Sequence, residues 1–225
     1  MGTPAVRFAF VIAFGVVAWV ARRSTRRPRL GRLERWAGVR GYRPAELPRG
    51  GATAVLRQRP QVLSSYAVPV GAATGTLCDF TISTADGDVE VTAIIASVGR
   101  KLPRFGVYDR TQFGHQGPLG SWVGPAGLDT RSMHELKVES AAFEKRYQLL
   151  AGQDSGDVAV EKVFTPELVE WWTKQGDLGP SLEYEDGTMM VARRRCSDSA
   201  AELDRLLAQA VKLADRISAT GPADA

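Results

Sequence analysis

The chain has 225 residues, a formal net charge of +4, and two cysteines, Cys78 and Cys196, far apart in sequence. Cysteines so few and without CxxC spacing exclude a dense disulfide framework and suit a reducing compartment. The charge is unevenly divided. Residues 1–59 carry 13 arginines and 2 acids, a net of +11, whereas residues 60–225 carry 16 Lys and Arg against 23 acids, a net of −7. The basic balance therefore belongs to the amino-terminal arm, and nucleic acid is excluded as a partner, because a nucleic-acid-binding domain carries its basic patch on the globular surface.

Phe8–Ala21 reads FAFVIAFGVVAWVA, fourteen residues without a charge. Begun at Pro4, with Arg7 able to snorkel, the run would span about 27 Å as a helix at ~1.5 Å per residue. Arg22, Arg23, Arg26, Arg27, Arg29, Arg32 and Arg35 follow it, against Arg7 alone before it. A secretory signal carries the opposite asymmetry, with charge ahead of its apolar core. A buried helix of a soluble domain would have to be apolar all round, at the terminus, with a polybasic exit. The pattern predicts a single-pass transmembrane anchor over residues 4–21, with the rest of the chain held on the cytoplasmic side of the cell membrane. An exported protein released by cleavage is the alternative. The seven arginines are the candidate contacts for anionic lipid headgroups, each contributing about 1 kcal/mol.

Residues 22–65 are expected to form a basic juxtamembrane helix and a linker. Arg29–Val39 has helical spacing, with Leu30, Leu33, Trp36 and Ala37 on one face, suited either to headgroups or to packing on the domain. Pro44, Pro48, Gly50, Gly51 and Pro60 mark Gly41–Ser65 as irregular. An α+β domain is expected over residues 66–218, and a disordered tail over 219–225. Gly75–Ser83 and Val89–Val98 are strand patterns joined by an Ala85–Asp88 turn, and Phe105–Asp109 is a third strand. Glycines and prolines between Gly114 and Gly127 predict a long loop. His134–Glu139 alternates as a strand, Ser140–Lys145 suits a short helix, and Tyr147–Leu150 another strand. Thr165-Pro166-Glu167 opens a helix running to about Lys174. Glu185-Asp186-Gly187 joins Ser181–Tyr184 to Thr188–Ala192 as a hairpin, and Ser199-Ala-Ala-Glu202 is a capping box opening an amphipathic helix. Hairpins with scattered helices give an antiparallel-sheet domain closed by a carboxyl-terminal amphipathic helix. Its sheet-then-helix ending is analogous to a pleckstrin-like barrel.

No site motif is complete. There is no phosphate loop, and Gly120-Ser121-Trp122-Val123-Gly124 lacks nucleophile-elbow spacing. His134-Glu135 begins like a zinc-protease helix, but position 138 is Val. Two histidines, His115 and His134, give little material for a metal centre or a triad. Cys78 alternates with Phe80 as a small core residue, while Cys196 follows Arg193-Arg194-Arg195, a setting that lowers a thiol pKa. Asp79, Asp86, Asp88, Asp109 and Asp129 form no calcium loop. Trp171–Trp172 fits helix packing with one ring inward. No catalytic, cofactor-binding or metal residue is therefore expected. The expected function is a non-enzymatic protein- or lipid-interaction module at the inner face of the membrane. The alternative is an enzyme acting on a lipid or envelope precursor, which clustered acids such as Asp79 with Asp109 or Asp129 beside a deep pocket would favour.

One resemblance spans roughly residues 30–215. Arg32-Leu33, Trp36-Ala37, Arg40-Gly41-Tyr42, Gly71–Phe80, Leu102-Pro103 with Phe105, Lys137–Ser140 with Phe143, and Val163–Leu168 occur in this order. Followed by the closing hairpin and helix, they resemble a family of bacterial membrane-anchored proteins of unknown function. The resemblance implies an anchor plus a cytoplasmic α+β domain, and it supplies no catalytic residues.

Overall fold

The computed structural model describes residues 31–48, 60–84, 87–100, 102–110, 133–152, 157–176, 179–194 and 199–220. The described residues form eight strands: β1 (Gln61–Val70), β2 (Ala73–Thr84), β3 (Gly87–Ser97), β4 (Phe105–Asp109), β5 (Met133–Leu136), β6 (Tyr147–Gly152), β7 (Ser181–Glu185) and β8 (Thr188–Arg194). They form one antiparallel sheet in the order β1-β2-β3-β8-β7-β4-β6-β5. The helices are α1 (residues 31–39), α2 (Ala141–Arg146), α3 (Asp157–Val163), α4 (Pro166–Lys174) and α5 (Ala200–Ala219).

All five helices bury side chains in the same cluster, together with one face of the sheet. Leu33 and Trp36 of α1, Phe143 of α2, Val160 of α3, Trp172 of α4 and Leu206 of α5 meet Leu77, Ile94, Val107, Leu149, Leu182 and Val191 there. Successive strand side chains point to opposite faces, so the alternate residues form the outer face. Cys78, Phe80, Val91, Ala93, Ile95, Met190 and Ala192 make a second, apolar cluster on its β2-β3-β8 half.

Local chemistry explains several joins. The two-residue β7–β8 turn has positive φ at both Asp186 (48°) and Gly187 (75°), the mirror-image turn whose twist matches an antiparallel pair. Ser199 caps α5, its Oγ accepting from the Glu202 backbone N–H at 3.2 Å. Ser199→Ala should lower stability by about 1 kcal/mol in urea denaturation; no change would show that water replaces the cap. Ser140 caps α2 in the same way. Thr165 occupies the cap position of α4, but its side chain makes no cap bond.

The expected architecture needs correction. The fold class was an amino-terminal transmembrane helix followed by a sheet domain with one closing helix. The structure is instead a single eight-stranded sheet with helices layered on one face, and α1 already belongs to that layer. Among the described residues no helix is long and apolar enough to cross a membrane. The segment 4–21 lies outside the described residues. The physical reason is visible at α1, whose apolar side is consumed by the core: Leu33, Trp36 and Ala37 are buried. Trp36 Nε1 also donates to Asp204 Oδ1 of α5 at 3.0 Å. The pleckstrin-like analogy fails as well, because β1 and β5 end opposite edges of one sheet rather than closing it.

Two elements depart from the sequence pattern. Gln61–Val70, read as linker to Ser65, is a ten-residue edge strand. An edge position tolerates Pro69, which cannot donate to a ladder. Part of that edge is covered, since Ala45 N–H donates to Ser65 O and Ala67 N–H to Arg43 O. The seven-residue α3 was not anticipated. Its buried Ala159, Val160 and Val163 are adjacent to exposed Val158, which blurs any helical period.

Candidate functional site

The outer face of the sheet changes character across its strands. Register sets Ile95, Met190 and Glu183 side by side on β3, β8 and β7, with Gly106 of β4 and Leu150 of β6 continuing the row. A neighbouring row runs through Cys78, Ala93, Ala192 and Ser181. The β2-β3-β8 half is apolar. The β7-β4-β6-β5 half is mixed, with Glu183, Ser181, Gln148 and Glu135 beside a small apolar cluster of Tyr108, Leu150 and Met133.

Four of the polar groups on this half are deeply buried: Ser181 is 1% exposed, Glu183 3%, Gln148 5% and Tyr108 6%. Both Glu183 carboxylate oxygens, the Tyr108 hydroxyl and the Ser181 hydroxyl lack a hydrogen-bond partner among the described residues. A buried polar group left so costs about 1–3 kcal/mol, and native proteins keep such groups few. A Cβ at Gly106 would collide with the Tyr108 ring, so that ring leans back along β4 over the residue directly across from Glu183. Burial pushes the Glu183 carboxyl up to about 8, with Arg104 opposing and Glu185 adding to the rise. Burial, and then Glu183, also raise Tyr108 well above its ordinary value. At neutral pH Glu183 is thus mainly a neutral acid that both donates and accepts.

A second polar set lies on the helix-covered face and is linked by hydrogen bonds. Thr92 Oγ1 donates to Asp79 Oδ1 at 2.7 Å, and Arg193 Nη2 donates to Gln209 Oε1 at 3.0 Å. Gln209 Nε2 donates in turn to Gln175 Oε1 at 2.9 Å. Burial pushes Arg193 down to about 10. The chain of bonds ties α5 and the end of α4 to the sheet.

The residues singled out from sequence fall as follows. Arg32 and Arg35 are exposed on α1, and Arg35 Nε donates to Gly31 O. Arg22, Arg23, Arg26, Arg27 and Arg29 lie outside the described residues. Of the two roles open to the apolar side of α1, packing on the domain is the observed one. Arg40 reinforces it, with its guanidinium 4.7 Å over the Trp36 ring and an ion pair to Asp204 at 2.6 Å. Cys78 is buried, donates to Ala93 O at 3.6 Å, and has its thiol pKa raised by burial. His134 Nε2 lies 2.9 Å from Asp157 Oδ1, linking β5 to α3. Trp172 is fully buried and Trp171 half-buried, under Lys212. His115, Cys196, Asp86 and Asp129 lie outside the described residues.

Asp79 and Asp109 do not meet. Asp109 pairs with Arg146 at 2.9 Å, and β2 and β4 are four strand spacings apart, about 19 Å. Among the described residues no group of three His, Cys, Asp or Glu side chains is placed to hold a metal ion. Glu183 and Tyr108 escaped sequence reading because each alternates with apolar neighbours, the pattern of a solvated face. Only the central position of β7 in the sheet marks Glu183 as buried.

No family model matches the chain, and no curated protein matches it. Among solved structures it is similar to the mycobacterial trehalose monomycolate transport factor A, TtfA. The TM-score is 0.55 and the sequence identity 11%, over 88% of this chain and 99% of that chain. At that identity the likeness is one of fold, and it extends over nearly the whole of the neighbour.

Proposed function

We propose that this chain is a non-enzymatic module serving the transport of envelope lipids at the inner face of the cell membrane. The single observation carrying this role is the fold shared with a transport factor for trehalose monomycolate, an acylated sugar. Asp79 and Asp109, one of the two acid pairs named for a lipid-modifying reaction, do not meet, and Asp129 of the other pair lies outside the described residues. The segment Arg22–Arg35 meets anionic headgroups, and its density of guanidinium groups supports that contact. A protein partner in the transport assembly is part of the same role.

Flotation of the full chain with vesicles tests the membrane arm. Partition onto phosphatidylglycerol-containing vesicles should exceed that onto phosphatidylcholine, and salt should reduce the difference. Replacing Arg22, Arg23, Arg26, Arg27 and Arg29 by alanine should weaken the anionic preference at least a hundredfold, at about 1 kcal/mol per side chain. Equal partition onto both vesicles would refute headgroup contact. In cells lacking the chain, pulse-labelled acylated sugars should be retained inside, and unaltered export would refute the transport role.

A further inference from the structure

We propose that the domain rests on an anionic lipid surface through the outward stripe of α1, with the Arg32 and Arg35 guanidinium groups on headgroup phosphates and Val39 in the interface beside them. The helix has two stripes. Leu33, Trp36 and Ala37 enter the core. Arg32, Arg35 and Val39, spaced three and four residues apart, share the opposite side and are exposed. Val39 is 84% exposed, the most of the three exposed large apolar side chains among the described residues. One exposed valine is ordinary. A valine continuing a row of cations along a helix is the composition that lies on headgroups.

Covalent reach and charge choose this occupant. Arg29, the last of the five arginines that precede the helix, is three residues from Arg32, at most about 10 Å along the chain. An arm held on headgroups thus brings the start of α1 to them. The helix layer is also electrically polar. Residues 31–48 carry four arginines and two acids, with Arg43 exposed on the segment that pairs with the β1 edge. Glu34, the acid of α1, lies near Tyr66 of β1, whose pKa is raised by burial and then by that charge. Residues 157–176 carry four acids and two lysines, and the contact between His134 and Asp157 fixes that segment to β5. The β5 edge is seven strand spacings from β1, about 34 Å. A negatively charged surface therefore attracts the β1 end and repels the other. This assignment rests on the headgroup contact proposed above and adds which face of the domain meets the bilayer.

Position-specific fluorescence on the full chain tests it. A Cys196→Ser background leaves Cys78, whose thiol is buried and does not label. Val39→Cys, and separately Val158→Cys on α3, carries a polarity-sensitive fluorophore; both positions are exposed. On phosphatidylglycerol vesicles with brominated acyl chains, emission from position 39 should be quenched at least twofold, and that from position 158 should not change. Val39→Asp should weaken partition onto the same vesicles at least threefold and should melt as the parent does. Flotation with an unquenched label at position 39, or equal quenching at both positions, would overturn the proposal and leave headgroup contact by the arm standing. Absence of flotation would instead refute that contact, and this assignment with it. Crosslinking of position 39 to a protein rather than to lipid in native membranes would make the stripe a protein interface and overturn the proposal as well.

Discussion

Glu183→Gln is expected to stabilise the protein by up to about 5 kcal/mol at pH 9 and to change little at pH 5. Burial holds the folded carboxyl at about 8, against an ordinary value of 4.5. The folded state therefore binds a proton more tightly than the unfolded chain. The resulting stabilisation is fully present below about pH 4.5, declines as pH rises, and is gone once pH passes about 8. A shift of this size corresponds to about 5 kcal/mol at ~1.36 kcal/mol per unit. Glutamine keeps the shape and the donor–acceptor character of the protonated acid but cannot ionise. Urea denaturation of both proteins at pH 5, 7 and 9 should show the curves diverging with pH. Parallel curves would mean that Glu183 is solvated in the folded state.

Trp172→Ala should cost about 3–5 kcal/mol, the range for removing a large aromatic side chain from a core. The Trp172 ring is fully buried among Phe143 at 6.5 Å, Tyr147 at 6.2 Å, Phe164 at 6.0 Å and Trp171 at 5.7 Å between centroids. These rings join α2, α4 and β6, so a void there loosens the contact between helix layer and sheet. Its Nε1 has no hydrogen-bond partner among the described residues. The loss is therefore one of packing, and Trp172→Phe should recover more than half of it. Denaturation midpoints at constant slope would measure both. A cost below 1 kcal/mol for the alanine variant would remove Trp172 from the core.

Turn and cap chemistry were legible in sequence because they depend on a few adjacent residues. Asp186-Gly187 named its hairpin, Ser199 with Glu202 named the start of α5, and the strand at Phe105–Asp109 was readable end to end. What depends on distant partners was not legible. The apolar side of α1 was visible in Leu33 and Trp36, but the choice of surface was made by Asp204, 168 residues away. The sheet order was hidden for the same reason, and with it the burial of Glu183. The apolar run and its arginines suggested a fold opening on a membrane-spanning helix, whereas the described architecture is one sheet with its helices on one face. Of the seven candidate headgroup arginines, Arg32 and Arg35 are exposed, and the other five precede the described residues.

The β7–β8 hairpin sits between β3 and β4, although it is made some 80 residues after them. During synthesis the early meander β1-β2-β3 and the later trio β4-β6-β5 have no strand to join them until residue 194 leaves the ribosome. Long-range pairings of this kind close slowly and leave open strand edges in the meantime. The keystone of the sheet is thus its last-made pair, and a nascent chain truncated before it is left with two unjoined halves.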